Sequence, residues 1–158
     1  WDDAGNCIFI SKEENVDSRY LNYSPDYKYF LCITMNNNIS IYSEDGKIYS
    51  KLTGHSDIIN CANFSPDSKY IISCSNDNTV RLWDINGIEL QVYTNHIGAI
   101  SKAKFSPDGK YILTASYDHT ARIMPVSVEM VLYKINKEKV RGEVMELSQQ
   151  DLEIFGVK

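Results

Sequence analysis

The sequence predicts an all-β chain built from repeated groups of four short antiparallel strands, and three observations carry that prediction. The first is a period. Tyr23-Ser24-Pro25-Asp26-Tyr27-Lys28-Tyr29, Phe64-Ser65-Pro66-Asp67-Ser68-Lys69-Tyr70 and Phe105-Ser106-Pro107-Asp108-Gly109-Lys110-Tyr111 align without gaps at a step of 41 residues. His55/His96, Asp77/Asp118, Thr79/Thr120, Arg81/Arg122 and Gly5/Gly46/Gly87 keep the same step. The second is turn chemistry. Pro presets φ at the second position of a type I turn, Asp accepts backbone hydrogen bonds, and Gly relieves the exit. The third is the alternating or apolar character of the short runs between turns.

Within one period the elements follow in order. Ile59-Asn60-Cys61-Ala62-Asn63-Phe64 alternates and leads into the Ser-Pro-Asp turn. Tyr70-Ile71-Ile72-Ser73-Cys74, and Tyr111-Ile112-Leu113-Thr114-Ala115 one period later, read as a more deeply buried second strand. Asn76-Asp77-Asn78 and Tyr117-Asp118-His119 supply the next turn, with His119 read as a turn residue. Thr79-Val80-Arg81-Leu82-Trp83 is the third strand, Asn86-Gly87 turns the chain again, and Glu89-Leu90-Gln91-Val92-Tyr93 is the fourth. Four antiparallel strands in about 41 residues make one blade of a β-propeller.

Composition narrows the function classes. The 158 residues carry 16 Lys+Arg against 21 Asp+Glu, a net charge of −5, and the pI is about 5.2, which disfavours a generic binder of nucleic acid or anionic membrane. At 43% hydrophobic the chain has material for a core, and its apolar runs are too short for a membrane span. Cys7, Cys32, Cys61 and Cys74 show no metal-ligand spacing and read as structural thiols of a reducing, cytoplasmic compartment. No secretory leader is expected.

Gly54-His55, Ser73, Asp77 and Trp83-Asp84 together resemble the WD-repeat (WD40) family, and the resemblance extends over roughly residues 1 to 125. It implies a buried hydrogen-bonded tetrad: His55, Ser73, Asp77 and Trp83 in the middle repeat, then His96, Thr114 and Asp118 with Met124 in the Trp place. The earliest repeat departs furthest, with Glu14, Cys32, Asn36 and Tyr42 at the matching positions, so apolar packing is expected to hold it. His55, Ser73 and Asp77 also have the residue types of a catalytic triad, but Ser73 lies inside an apolar strand, where no substrate or oxyanion hole could reach it. No phosphate loop, HExxH or nucleophile elbow accompanies them. No catalytic residue, metal or cofactor is expected.

Propellers close with 4–8 blades, and seven would need about 290 residues. This sequence offers three nearly complete blades plus the end of another at Trp1-Asp2 and Asn6-Cys7-Ile8-Phe9-Ile10. It is therefore expected to be the C-terminal part of a larger propeller, whose ring is closed by further N-terminal blades or by a second copy. Residues 1–126 form the repeat region, and 127–158 are expected to be a short α-helical cap. Ser127 is the candidate N-cap before Val131, Leu132 and Ile135, and a second helix opens at Ser148-Gln149-Gln150-Asp151 and stops at Gly156.

The resemblance also implies an interaction face where the first strand begins and just before the turn Asp. Stepped by period, its positions are Asp17, Arg19 and Met35, then Ile58, Asn60 and Asn76, then Ala99, Ser101 and Tyr117. Arg19, Met35, Ile58, Asn60, Asn76, Ser101 and Tyr117 are the candidate binding residues, with Arg19, Ile58 and Tyr117 foremost. The same positions could be ordinary rim residues. The expected function is a non-enzymatic scaffold for protein or peptide partners, without nucleic acid or membrane. The alternative is the sensor or regulatory module of a larger enzyme with its catalytic domain N-terminal to these repeats.

Overall fold

The computed structural model describes residues 16–126, with side chains from Tyr20 onward. Every regular element among them is a strand: β1 Val16–Tyr23, β2 Tyr29–Thr34, β3 Asn38–Ser43, β4 Ile48–Thr53, β5 Ile59–Phe64, β6 Tyr70–Ser75, β7 Val80–Asp84, β8 Glu89–Tyr93, β9 Ile100–Phe105, β10 Tyr111–Ser116 and β11 Ala121–Pro125. They form three antiparallel sheets, β1-β2-β3-β4, β5-β6-β7-β8 and β9-β10-β11. These are propeller blades, as the period predicts. The proposed helical cap, Cys7 and Glu14 lie outside the described residues.

The turns explain the register. In the first Ser-Pro-Asp turn Tyr27 N–H donates to Ser24 C=O at 2.9 Å, and Ser24 Oγ accepts from Tyr29 N–H at 3.0 Å. The second and third turns repeat this pattern with Ser65 and Ser106. The residue after Asp takes the left-handed conformation each time: φ is 60° at Tyr27, 61° at Ser68 and 73° at Gly109. Only the third turn meets that demand with glycine.

Alternation along the strands gives each sheet two faces, and the faces pack in sequence. Leu31, Ile33, Ile39 and Ile41 of the first sheet bury themselves against Ala62, Phe64, Ile71 and Trp83 of the second. The opposite face of the second sheet, with Ile72, Cys74, Val80 and Leu82, is fully buried. One period later, Leu113 and Ile123 on the matching face of the third sheet are 52% and 71% exposed.

Polar clasps join the sheets along their innermost strands, β1, β5 and β9. Asn22 Nδ2 donates to Asn63 Oδ1 at 3.0 Å, and Asn63 Nδ2 donates to Ala103 C=O at 2.9 Å. Asn60 Nδ2 reaches Ile100 C=O at 2.9 Å.

One expectation needs correction. Cys61 and Cys74 are not separate thiols but a disulfide across β5 and β6. The register sets them directly opposite, with Cα atoms 5.3 Å apart, after a bulge between Ile59 and Cys61. Cys32 is buried in β2.

Candidate functional site

The end of the blades that carries the β2–β3, β6–β7 and β10–β11 turns holds the candidate residues, above a buried polar network. In the second sheet Trp83 Nε1–H donates to Ser73 Oγ at 2.9 Å, and the Ser73 hydroxyl lies 2.7 Å from His55 Nε2. His55 Nδ1 lies 2.7 Å from Asp77 Oδ2. Directions follow from the ends of this chain. The indole can only donate and an ionised carboxylate can only accept, so Ser73 donates to Nε2 and neutral His55 donates from Nδ1. Asp77 also accepts from Thr79 Oγ1 at 2.7 Å, Thr79 N–H at 2.9 Å and Ser56 N–H at 3.1 Å.

The electrostatics fit this assignment. Burial pushes the His55 imidazole below its ordinary value, and the pull of Asp77 offsets only part of that. Burial pushes the Asp77 carboxyl up, but hydrogen bonds from Thr79 and His55 outweigh it and hold the group at about 2. Ser73 is fully buried with its donor and acceptor roles both taken. The network therefore ties a strand, a turn and the preceding loop together.

The third sheet repeats most of this. His96 Nδ1 lies 2.7 Å from Asp118 Oδ2, and His96 Nε2 lies 2.8 Å from Thr114 Oγ1. The Thr120 hydroxyl, against burial and with help from His96, holds the Asp118 carboxyl well below its usual range. Met124 is buried in the Trp place and brings no donor to Thr114. In the first sheet Cys32 and Tyr42 are buried, Asn36 is exposed, and Tyr42 stacks on Phe30 with ring centroids 5.0 Å apart.

The candidate binding residues divide by what their side chains do. Met35, Ile58 and Tyr117 are 69%, 56% and 70% exposed. Backbone bonds fix two of their positions: Asn76 N–H donates to Ile58 C=O at 2.9 Å, and Tyr117 N–H donates to Ala99 C=O at 2.8 Å. Asn60 and Asn76 turn inward, where Asn60 Nδ2 donates to Asn76 Oδ1 at 2.7 Å as well as to Ile100. Ser101 Oγ donates to Ala115 C=O at 3.1 Å. Residue 19 lies on β1, but the Arg19 side chain is outside the description. The structure adds Ile97, 91% exposed and held by its N–H to Asp118 Oδ2 at 3.3 Å. Its signal in the sequence is an apolar residue where the middle repeat has Ser56.

Among the described residues no three His, Cys, Asp or Glu side chains gather as a metal site, and no helix is long and apolar enough to cross a membrane. Residues 46–84 and 87–123 match the WD40 family model, described as WD domain, G-beta repeat. Each matched segment starts near the outer strand of one sheet and runs through the inner strands of the next, so the sequence unit straddles two sheets. No curated protein matches the chain.

Proposed function

The chain belongs to the WD-repeat family, and from that premise we propose that it is a non-enzymatic interaction scaffold whose turn-bearing end binds a protein or peptide. WD40 repeats generally mediate protein–protein interaction. The observation that carries the finer reading is the contrast at that end between exposed side chains and a fixed base. Met35, Ile58, Ile97 and Tyr117 present apolar surface, while the backbone beneath Ile58, Ile97 and Tyr117 is held by the His55–Asp77 and His96–Asp118 bonds. Apolar and aromatic anchors on a rigid support are what tight recognition requires. Ring closure by further blades or a second copy belongs to the same reading, since Leu113 and Ile123 leave a blade face open.

The test is selection of peptides from a random display library on the immobilised chain. Selected peptides should lose binding to Ile58→Asp and Tyr117→Ala and keep it for Tyr27→Ala, whose side chain lies at the Ser-Pro-Asp end. The reverse pattern would move the site to that end. A cytoplasmic location is part of the proposal and is tested by fractionating cells that express the chain. Recovery with the cytosol supports it, and recovery from an oxidising, secretory fraction, where the Cys61–Cys74 disulfide would persist, overturns it.

A further inference from the structure

A cavity of about 180 Å³ opens along the innermost strands, and its lining combines Asn22 and Asn63 with Lys102 and Lys104. The repeat explains how the lysines come there. Positions 22, 63 and 104 are one period apart and hold Asn, Asn and Lys, and positions 20, 61 and 102 hold Tyr, Cys and Lys. Asn22 and Asn63 spend one amide N–H each on the clasp to the next sheet. An amide nitrogen carries two hydrogens, so each keeps a second donor. Both lysines are exposed, and among the described residues no ion pair engages either and no carboxylate stands in the lining. Two lysines and two amide side chains thus line one cavity in a chain of net charge −5.

We propose that this cavity is an anion site that takes a single carboxylate or phosphoryl group carried by the peptide partner. The chemistry is shared: both groups present several acceptor oxygens to charged donors, and ammonium–oxyanion hydrogen bonds are stronger than neutral ones. The cavity has room for one such group with its attachment. Its peptide component rests on the reading of the chain as a peptide-binding scaffold, whereas the anion component stands on the cavity alone.

The experiment is a 1H–15N NMR titration of the full chain with sodium phosphate and sodium acetate. It is followed by a short serine peptide in three forms: unmodified, phosphorylated, and with Glu in place of Ser. Saturable shifts at Lys102, Lys104 and the Asn63 side-chain amide are expected with both ions, and tighter ones with the two anionic peptides. Phosphorylated and Glu forms separate the two sources of charge. Lys102→Gln and Lys104→Asn should each weaken binding by about two- to fivefold, as for partly exposed charge pairs. Lys110→Gln, on a turn, should leave binding unchanged. Shifts spread over all lysines, or unaltered by both variants, overturn the proposal. Saturable ion binding with no gain from the peptides supports the anion site and overturns the peptide reading. Absent anion binding in a chain that still selects peptides through Ile58 and Tyr117 overturns the anion site alone.

Discussion

Leu82 of β7 and Ile123 of β11 occupy the same place in their repeats, as do Ile72 and Leu113, yet the first of each pair is fully buried and the second more than half exposed. Among the described residues, the second sheet has a neighbour on both faces and the third has one only on its tetrad side. The comparison teaches that the apolar pattern of a repeat describes a requirement for a neighbour, not the presence of one. It also separates two sources of stability. The second sheet has a complete polar chain ending in Trp83 and a covered face, while the third has a shorter chain ending at Thr114 and an open face.

The sharpest way to break this comparison is a pair of truncations. Leu82→Ala should cost about 2–5 kcal/mol in urea unfolding, because it leaves a cavity between packed sheets. Ile123→Ala should change stability by no more than about 0.5 kcal/mol. Equal losses would mean that the third sheet is covered in solution.

A middle-sized effect is expected from the polar chain. Asp77→Ala should lower stability by about 1–3 kcal/mol, since it orphans the buried His55 donor and the Thr79 hydroxyl. Asp118→Ala should lose less, because the chain it ends is one link shorter. Unchanged thermal unfolding in Asp77→Ala would remove the network from the account.

Acid sharpens the same point. The unfolded His55 imidazole protonates near 6.5 while burial keeps the folded one neutral to lower pH, so stability should decline as pH falls below about 6.5. Asp77 is held at about 2 against an ordinary 3.8. Its contribution is complete above about 4 and is lost as pH falls through about 2. Urea midpoints across pH should show both declines, and His55→Gln should flatten the first.

The smallest effect is a gain. Tyr27 adopts φ of 60° on an exposed turn where the third repeat has Gly109. Tyr27→Gly should relieve a left-handed tyrosine at some entropic cost, for a net gain of about 0.5–1 kcal/mol in thermal unfolding.

The fold was largely legible because its signals are local and recur. Ser-Pro-Asp sets a turn wherever it stands, and His55, Ser73, Asp77 and Trp83 could be found at fixed offsets from it. What was not legible depended on faces and register. Cys61 and Cys74 are 13 residues apart, a spacing that points to no pairing until the bulge after Ile59 sets them opposite each other. Asn60 and Asn76 lie at candidate binding positions, but their 16-residue separation carries no sign that their amides face each other between β5 and the β6–β7 turn. Lys104 did leave a signal, a charge where two earlier repeats carry Asn, yet its meaning required knowing that the position lines a cavity.

The two hydrogen bonds that the Asn60 amide donates have a mechanical consequence. Its amide nitrogen holds Asn76 in the turn above and the Ile100 carbonyl in the next sheet at once. Load applied to the Asn76 turn therefore travels into β9 and is not absorbed by a compliant loop. The second and third sheets are thus coupled at this end, and a pull that separates them must break the Asn60 link at the same time as it lifts the turn.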